Sequence, residues 1–179
     1  SEKLERYKAE FDIPQYDAEI ITESKRMADI FEAATAVCKK PKKVANWLMV
    51  ETLRLLKEHN MEQEDIRFSP ENLGKLVELT EAGTINSSVA KEVFEKIFTD
   101  NINPEKYVEE NGLKTVNDEG AMKAAIEKAI ADNPKSVEDY LGGKEKAIGF
   151  LVGQVMKAMK GKANPGMVNQ MLKEALQEH

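Results

Sequence analysis

Helix starts are written into this chain by its prolines. Ser69-Pro70, Asn103-Pro104 and Asn164-Pro165 each set a side chain able to cap a helix directly before a proline suited to the first turn. Pro41 suits the first position of a further helix. Between these points apolar residues recur every three or four positions. Val89, Val93 and Ile97 with Phe94 and Phe98 make one such stripe. Ile148, Leu151, Val152, Val155 and Met159 make a second, and Val168, Met171, Leu172, Ala175 and Leu176 a third. β-Branched runs bounded by turn residues are scarce, aromatics are only 6%, and Ala, Glu, Lys, Leu and Met dominate the rest. Those residues favour helix, so the expected fold is all-α and multihelical.

The boundaries follow from the same punctuation. Residues 1–16 read as a charged leader closed by Ile13-Pro14. A first helix is expected from Asp17, its candidate N-cap, to Val37. The helix begun at Pro41 carries Val44, Trp47, Leu48 and Leu55 on one face and Met49, Leu53 and Leu56 on another, so it is expected to be central. Ser69 caps the next helix and Gly83 closes it. Asn86 to Ser88 opens another. Asn103-Pro104 begins a short helix that stops at Asn111-Gly112, the expected boundary between two subdomains. Beyond it, Asn117 or Asp118 caps a helix bearing Met122, Ala125, Ile126, Ala129 and Ile130. Asn133-Pro134 breaks the chain, and Ser136 to Leu141 forms a short turn of helix ended by Gly142-Gly143. A strong helix is expected from Lys144 to Met159, ended by Gly161, and Asn164-Pro165 opens the last. The organisation expected is a leader (1–16), a helical bundle (17–111) and a small three-helix tail (115–179), without internal repeats or low-complexity tracts.

Composition narrows the function. The 179 residues are 41% hydrophobic and 32% charged, enough for one ordinary domain or two small helical ones. No apolar stretch approaches the ~20 residues of a membrane span, and no secretion leader opens the chain. Cys38 stands alone, which fits a reducing, cytoplasmic compartment. The start at Ser1, without Met, suggests a piece of a longer protein. Net charge is −6 and the pI about 5.2, against a general nucleic-acid binder. The charges are uneven, however. Acids crowd the middle at Glu62, Glu64, Asp65, Glu71, Glu78 and Glu81. Lysines crowd the far end at Lys144, Lys146, Lys157, Lys160, Lys162 and Lys173.

Catalysis finds no footing in the pattern. His59 lies at a helix end, where a helix-terminal role suffices, and His179 is the last residue. No Cys/His cluster has metal-ligand spacing. Cys38 lacks a base partner, and Glu62, Glu64 and Asp65 read as a solvated loop. Gly142-Gly143-Lys144 lacks the rest of a phosphate loop and follows a helix rather than a strand; a helix end followed by a new helix start explains it. On a helical wheel Lys146, Gly149, Gly153, Lys157 and Lys160 share one face. Each interior glycine costs roughly 1 kcal/mol relative to Ala, so a close approach is expected to offset it. Two readings of that approach stand open. A neighbouring helix of the same protein packs on Gly149 and Gly153, or an RNA backbone lies on a glycine floor between the lysines. The turn from Lys160 through Gly161, Lys162 and Ala163 to Asn164-Pro165 adds cations and a helix start at one end. Such phosphate contacts position a ligand without reading its sequence.

At these residues the chain is familiar. Gly149-Phe150-Leu151-Val152-Gly153-Gln154-Val155-Met156-Lys157-Ala158, then Lys160-Gly161-Lys162-Ala163-Asn164-Pro165 and Val168-Asn169, closely resembles the C-terminal signature of the GatB/YqeY family, and within it the B subunits of tRNA-dependent amidotransferases. Pro14-Gln15-Tyr16-Asp17-Ala18, Ala45-Asn46-Trp47-Leu48, Ala82-Gly83-Thr84-Ile85-Asn86 and Ala90-Lys91-Glu92-Val93-Phe94 resemble earlier stretches of the same kind of protein. The resemblance implies an ATP-dependent ligase, with glutamine as amide donor, that converts Glu-tRNA(Gln) or Asp-tRNA(Asn) to Gln-tRNA(Gln) or Asn-tRNA(Asn). It places ATP and Mg²⁺ in an N-terminal body that nothing here resembles, so no active site, cofactor or metal is expected in this chain. It implies tRNA(Gln) or tRNA(Asn) and the amidotransferase A and C subunits as partners, without membrane or DNA. It offers Lys157, Lys160, Gly161, Lys162 and Asn164 as tRNA contacts, with Lys144 and Lys146 beside them. Met159 departs from the pattern, standing where a small hydroxyl residue is commoner.

The expected function is thus the non-catalytic, tRNA-binding region of an amidotransferase B subunit. Two rivals are a free-standing YqeY-like protein and a subunit-packing module without RNA contact. A DNA-binding domain is weak, because no helix shows base-reading Arg or Asn patterning.

Overall fold

The computed structural model describes residues 2–115 and 119–179. It is all-α, as expected, and divides into two compact units, Ser1–Leu113 and Lys114–His179. Each has its own hydrophobic core.

In the first unit the helices are α1 (Glu2–Phe11), α2 (Gln15–Glu23), α3 (Lys25–Cys38), α4 (Pro41–Asn46), α5 (Leu53–Glu58), α6 (Pro70–Glu81), α7 (Ser87–Asp100) and α8 (Pro104–Glu110). The charged stretch at the start is structured: α1 places Leu4, Tyr7 and Phe11 on one side, with Tyr7 wholly buried. The Tyr7 ring lies 4.9 Å from Phe31 and 5.4 Å from Phe11. Its hydroxyl donates to Glu32 Oε2 at 2.8 Å. Burial, then the Glu32 carboxylate, pushes the phenol far above its ordinary pKa. Burial alone would raise Glu32, but hydrogen bonds from Arg6 and Tyr7 outweigh it and hold its carboxyl below the usual value.

The single helix expected from Asp17 to Val37 is two. Ser24 is extended, and its hydroxyl accepts from Met27 N–H, capping α3. Asp17 lies inside the first turn of α2, whose N-cap is Pro14. The segment Trp47–Thr52 joins α4 to α5 as a π-helix. There the Thr52 hydroxyl turns back to Trp47 O, and Val50 faces solvent while Leu48 is buried. The helix is therefore central on one side only. Ser69 stands at the N-cap of α6, but its hydroxyl donates to Glu71 instead of capping.

At the centre α3 crosses α6 closely. A Cβ at Gly74 would stand 2.7 Å from Val37 Cβ and 3.0 Å from Ala34 O. The propensity lost by glycine within a helix is offset by that approach.

The second unit contains α9 (Glu119–Asp132), α10 (Pro134–Leu141), α11 (Ala147–Ala158) and α12 (Pro165–Gln177). Its core comprises Met122, Ile126, Ala129, Leu151, Val155, Ala163, Val168, Leu172 and Leu176. The cap expected from Asn117 or Asp118 lies outside the described residues. Among the described residues no helix is long and apolar enough to cross a membrane.

Candidate nucleic-acid interface

The helix α11 is amphipathic in an unusual way. Leu151 and Val155 are buried and Ile148 and Val152 half-buried, so one side faces the core. The opposite side is exposed Gly149, Phe150, Gly153 and Lys157. A Cβ built on Gly149 or Gly153 would meet nothing within 4 Å. Among the described residues, no neighbouring helix of the second unit packs against the glycines. They leave a strip of bare backbone open to solvent.

The expected site residues fall into two groups. Lys157, Lys160, Gly161, Lys162 and Asn164 gather where α11 gives way to α12. Lys160 and Gly161 both take positive φ, 56° and 73°, as the chain turns, and Gly161 N–H donates to Met156 O at 2.8 Å. Lys160 therefore lies beyond the helix and does not continue its face. Lys144 and Lys146 lie at the other end, in turns before α11 begins at Ala147. The helix does not start at Lys144 as its sequence suggested. About 16 Å of chain rise separates Lys146 from Lys157. Gly142 is the C-cap of α10 and Gly143 follows at φ 105°, a helix end rather than a phosphate loop.

Two lysines of this unit are held in ion pairs. Lys128 and Lys135 pair with Asp132 and Asp139 one turn along their own helices. Lys144, Lys146, Lys157, Lys160 and Lys162 have no acid partner among the described residues. Lys157 also lines a cleft of about 430 Å³ with Gln154, Lys128, Asp132 and Asn133.

Asn164 is the N-cap of α12, its side-chain oxygen accepting from Met167 N–H at 3.1 Å. Its amide nitrogen is left for other partners. Asn164→Ala is expected to lower the stability of the second unit by about 1 kcal/mol, and Asn164→Ser to restore most of it; thermal unfolding followed by circular dichroism measures both.

Two features lay outside the sequence reading. Phe150 is 51% exposed; its place off the apolar stripe of the wheel was the available signal. In the first unit Lys39, Lys40, Lys42 and Lys43 surround Pro41 and Lys39, Lys40, Lys42 and Lys43 all reach solvent, with Lys42 paired to Asp12. Elsewhere, His59 caps α5 and its ring lies 5.6 Å from Phe98. Cys38 is buried, which raises its thiol pKa. Among the described residues no group of three or more His, Cys, Asp or Glu side chains is brought together to hold a metal ion.

Residues 29–176 match the GatB_Yqey family model, described as the GatB domain. The relatives share one name, that of the B subunit of an aspartyl/glutamyl-tRNA(Asn/Gln) amidotransferase. The chain is 68% identical over 175 residues to the protein of Agathobacter rectalis, covering 98% of this chain and 37% of the relative. It is 58% identical over 181 residues to that of Lachnospira eligens, covering 98% and 38%. It is 46% identical over 174 residues to that of Geobacillus thermodenitrificans, covering 97% and 37%. The chain thus spans a little over a third of the length of these relatives.

Proposed function

The chain belongs to the GatB_Yqey family, and from that premise we propose that its second unit is a tRNA-contacting module of an amidotransferase B subunit. The observation that carries this reading is the open glycine face of α11 with lysines clustered at both its ends. Five cations without acid partners among the described residues flank an exposed, glycine-floored helix face on which no described residue of the second unit packs. Unpaired lysines around open backbone suit a phosphate-bearing ligand, which needs charge and close approach and no shaped pocket. The net charge of −6 limits contact to this local face, since the body repels polyanions at long range.

In this reading the module helps a cytoplasmic enzyme position Glu-tRNA(Gln) or Asp-tRNA(Asn) during translation. The A and C subunits are its companions. Activation by ATP and Mg²⁺ and amide transfer from glutamine belong to the portion of the relatives' length that this chain does not span. In this reading the first unit serves as a helical bundle and the second as a YqeY-like tail.

The test is binding of this chain to tRNA(Gln) and tRNA(Asn) transcripts across a salt series. The reading expects affinity that falls steeply and log-linearly with salt. Absence of binding at low salt would remove the claim.

The glycines give a second check. Gly149→Ala and Gly153→Ala are each expected to stabilise the unit by up to about 1 kcal/mol through helix propensity, since a methyl has open space there. Both are expected to weaken tRNA binding, because the methyl lifts the ligand off the floor. Denaturation and binding measured on the same variants must therefore move in opposite directions.

A further inference from the structure

We infer that Phe150 is a stacking platform for an unstacked base, so that this face takes loop nucleotides in preference to duplex. The inference rests on the RNA-contact reading above.

Phe150 lies near the middle of α11 with 51% of its surface exposed. Gly149 stands beside it and Gly153 one turn on, and beyond the adjacent residues and the helix's own backbone a Cβ at either would meet nothing described within 4 Å. One side of the ring is therefore bordered by bare backbone. Gln154, the next turn along, opens into the cleft it shares with Lys157, Lys128 and Asn133. Lys157 follows the ring by seven residues on the same face of α11, and Lys146 stands in the turn just before the helix begins at Ala147, so a cation lies towards each end.

That arrangement fits one chemistry. A phosphate needs lysines but gains nothing from a phenyl ring. A base in a duplex is already stacked and paired, and offers a surface helix only its backbone and groove. A base turned out of a loop presents a π-face that an aromatic side chain can cover whatever its sequence. The adjacent glycines leave room for its ribose, and the flanking lysines meet the phosphates on either side. A protein partner fits less well, because the core of a protein interface is depleted of lysine and this ring is bracketed by lysines without acid partners among the described residues.

The experiment uses this 179-residue chain and two RNAs. One is a hairpin with a 2-aminopurine in its single-stranded loop; the other is the same stem as a blunt duplex. At fixed salt the hairpin is expected to bind more tightly, with a change in 2-aminopurine fluorescence on binding. Phe150→Ala is expected to weaken the hairpin roughly tenfold or more, to abolish the fluorescence change and to leave the duplex unaffected. Phe150→Trp is expected to keep hairpin binding. Phe150→Leu, which preserves an apolar side chain, is expected to lose it like Ala. An unchanged thermal midpoint confirms that each variant is folded, as an exposed position predicts.

If Phe150→Ala leaves hairpin binding unchanged, or weakens hairpin and duplex alike, the stacking role is overturned while the RNA reading stands. The same holds if Phe150→Leu binds like the parent. If the parent binds neither RNA at low salt, both fall together.

Discussion

Reversing the charge at Lys157, Lys160 and Lys162 together is expected to lower tRNA affinity at least ~100-fold at physiological salt. Each phosphate contact releases condensed counterions, so losing three should flatten the log–log salt dependence by roughly three and cost on the order of 100-fold near 0.15 M. Reversal adds repulsion to that loss. The fold should be indifferent, because none of the three has an acid partner among the described residues. Lys160 alone needs care in design. Its φ of 56° is left-handed, which Glu tolerates about as poorly as Lys does, so Lys160→Glu keeps the conformational cost nearly level. Fluorescence anisotropy of labelled tRNA across roughly 50–300 mM salt measures the effect. A packing module would show the same affinity and the same slope before and after reversal, and that result would end the RNA reading.

The second large effect concerns stability. Tyr7→Ala is expected to destabilise the first unit by about 3–5 kcal/mol, the usual range for emptying a buried aromatic site. The ring is fully buried between Phe11 and Phe31, and Glu32 loses one of its two donors with it. Against a typical total of about 5–15 kcal/mol, that leaves little margin. Tyr7→Phe keeps the packing and removes only the hydrogen bond, for about 1 kcal/mol. Trp47 is the single tryptophan of the chain and lies 5.1 Å from Phe94 in the first unit. Its fluorescence during urea titration reports this unit alone. An equal, small loss for both substitutions would mean that α1 contributes nothing to the core.

How far the residues spoke for themselves depended on what each signal encodes. The stripes of α7, α11 and α12 were plain, because apolar residues at helical spacing report burial directly. Asn86, Asn103 and Asn164 were equally legible, and each accepts a backbone N–H at a helix start. The stripe of α1 was present as Leu4, Tyr7 and Phe11, but three apolar residues among so many charges read as a solvated leader. The break at Ser24 lacked the Pro or Gly that marks most helix ends. It depends on a single side-chain hydrogen bond and on Glu64, forty residues away, accepting from the same hydroxyl. Gly74 gave no hint of its role, since close approach belongs to the partner helix. In the candidate interface the residue types were readable, while the grouping was not. Whether Lys144 and Lys146 belong to α11 depends on a turn after Gly143 that periodicity cannot locate. The exposure of Phe150 is hinted at only by its place off the apolar stripe, a weak signal for a large aromatic residue that usually marks a core.

The two cores also differ in when they can be completed during synthesis. Every buried apolar residue of the first lies at or before Val108, so nothing downstream is needed for it to close as the chain leaves the ribosome. The second draws on Met122 at one end and Leu176 at the other, and must wait for almost its whole span to be made. Domains generally fold as units in the order they emerge. The first unit should therefore be protected from protease while the second is still nascent. A stalled chain ending before α12 would carry a folded bundle and an α11 with its apolar side uncovered between flanking lysines.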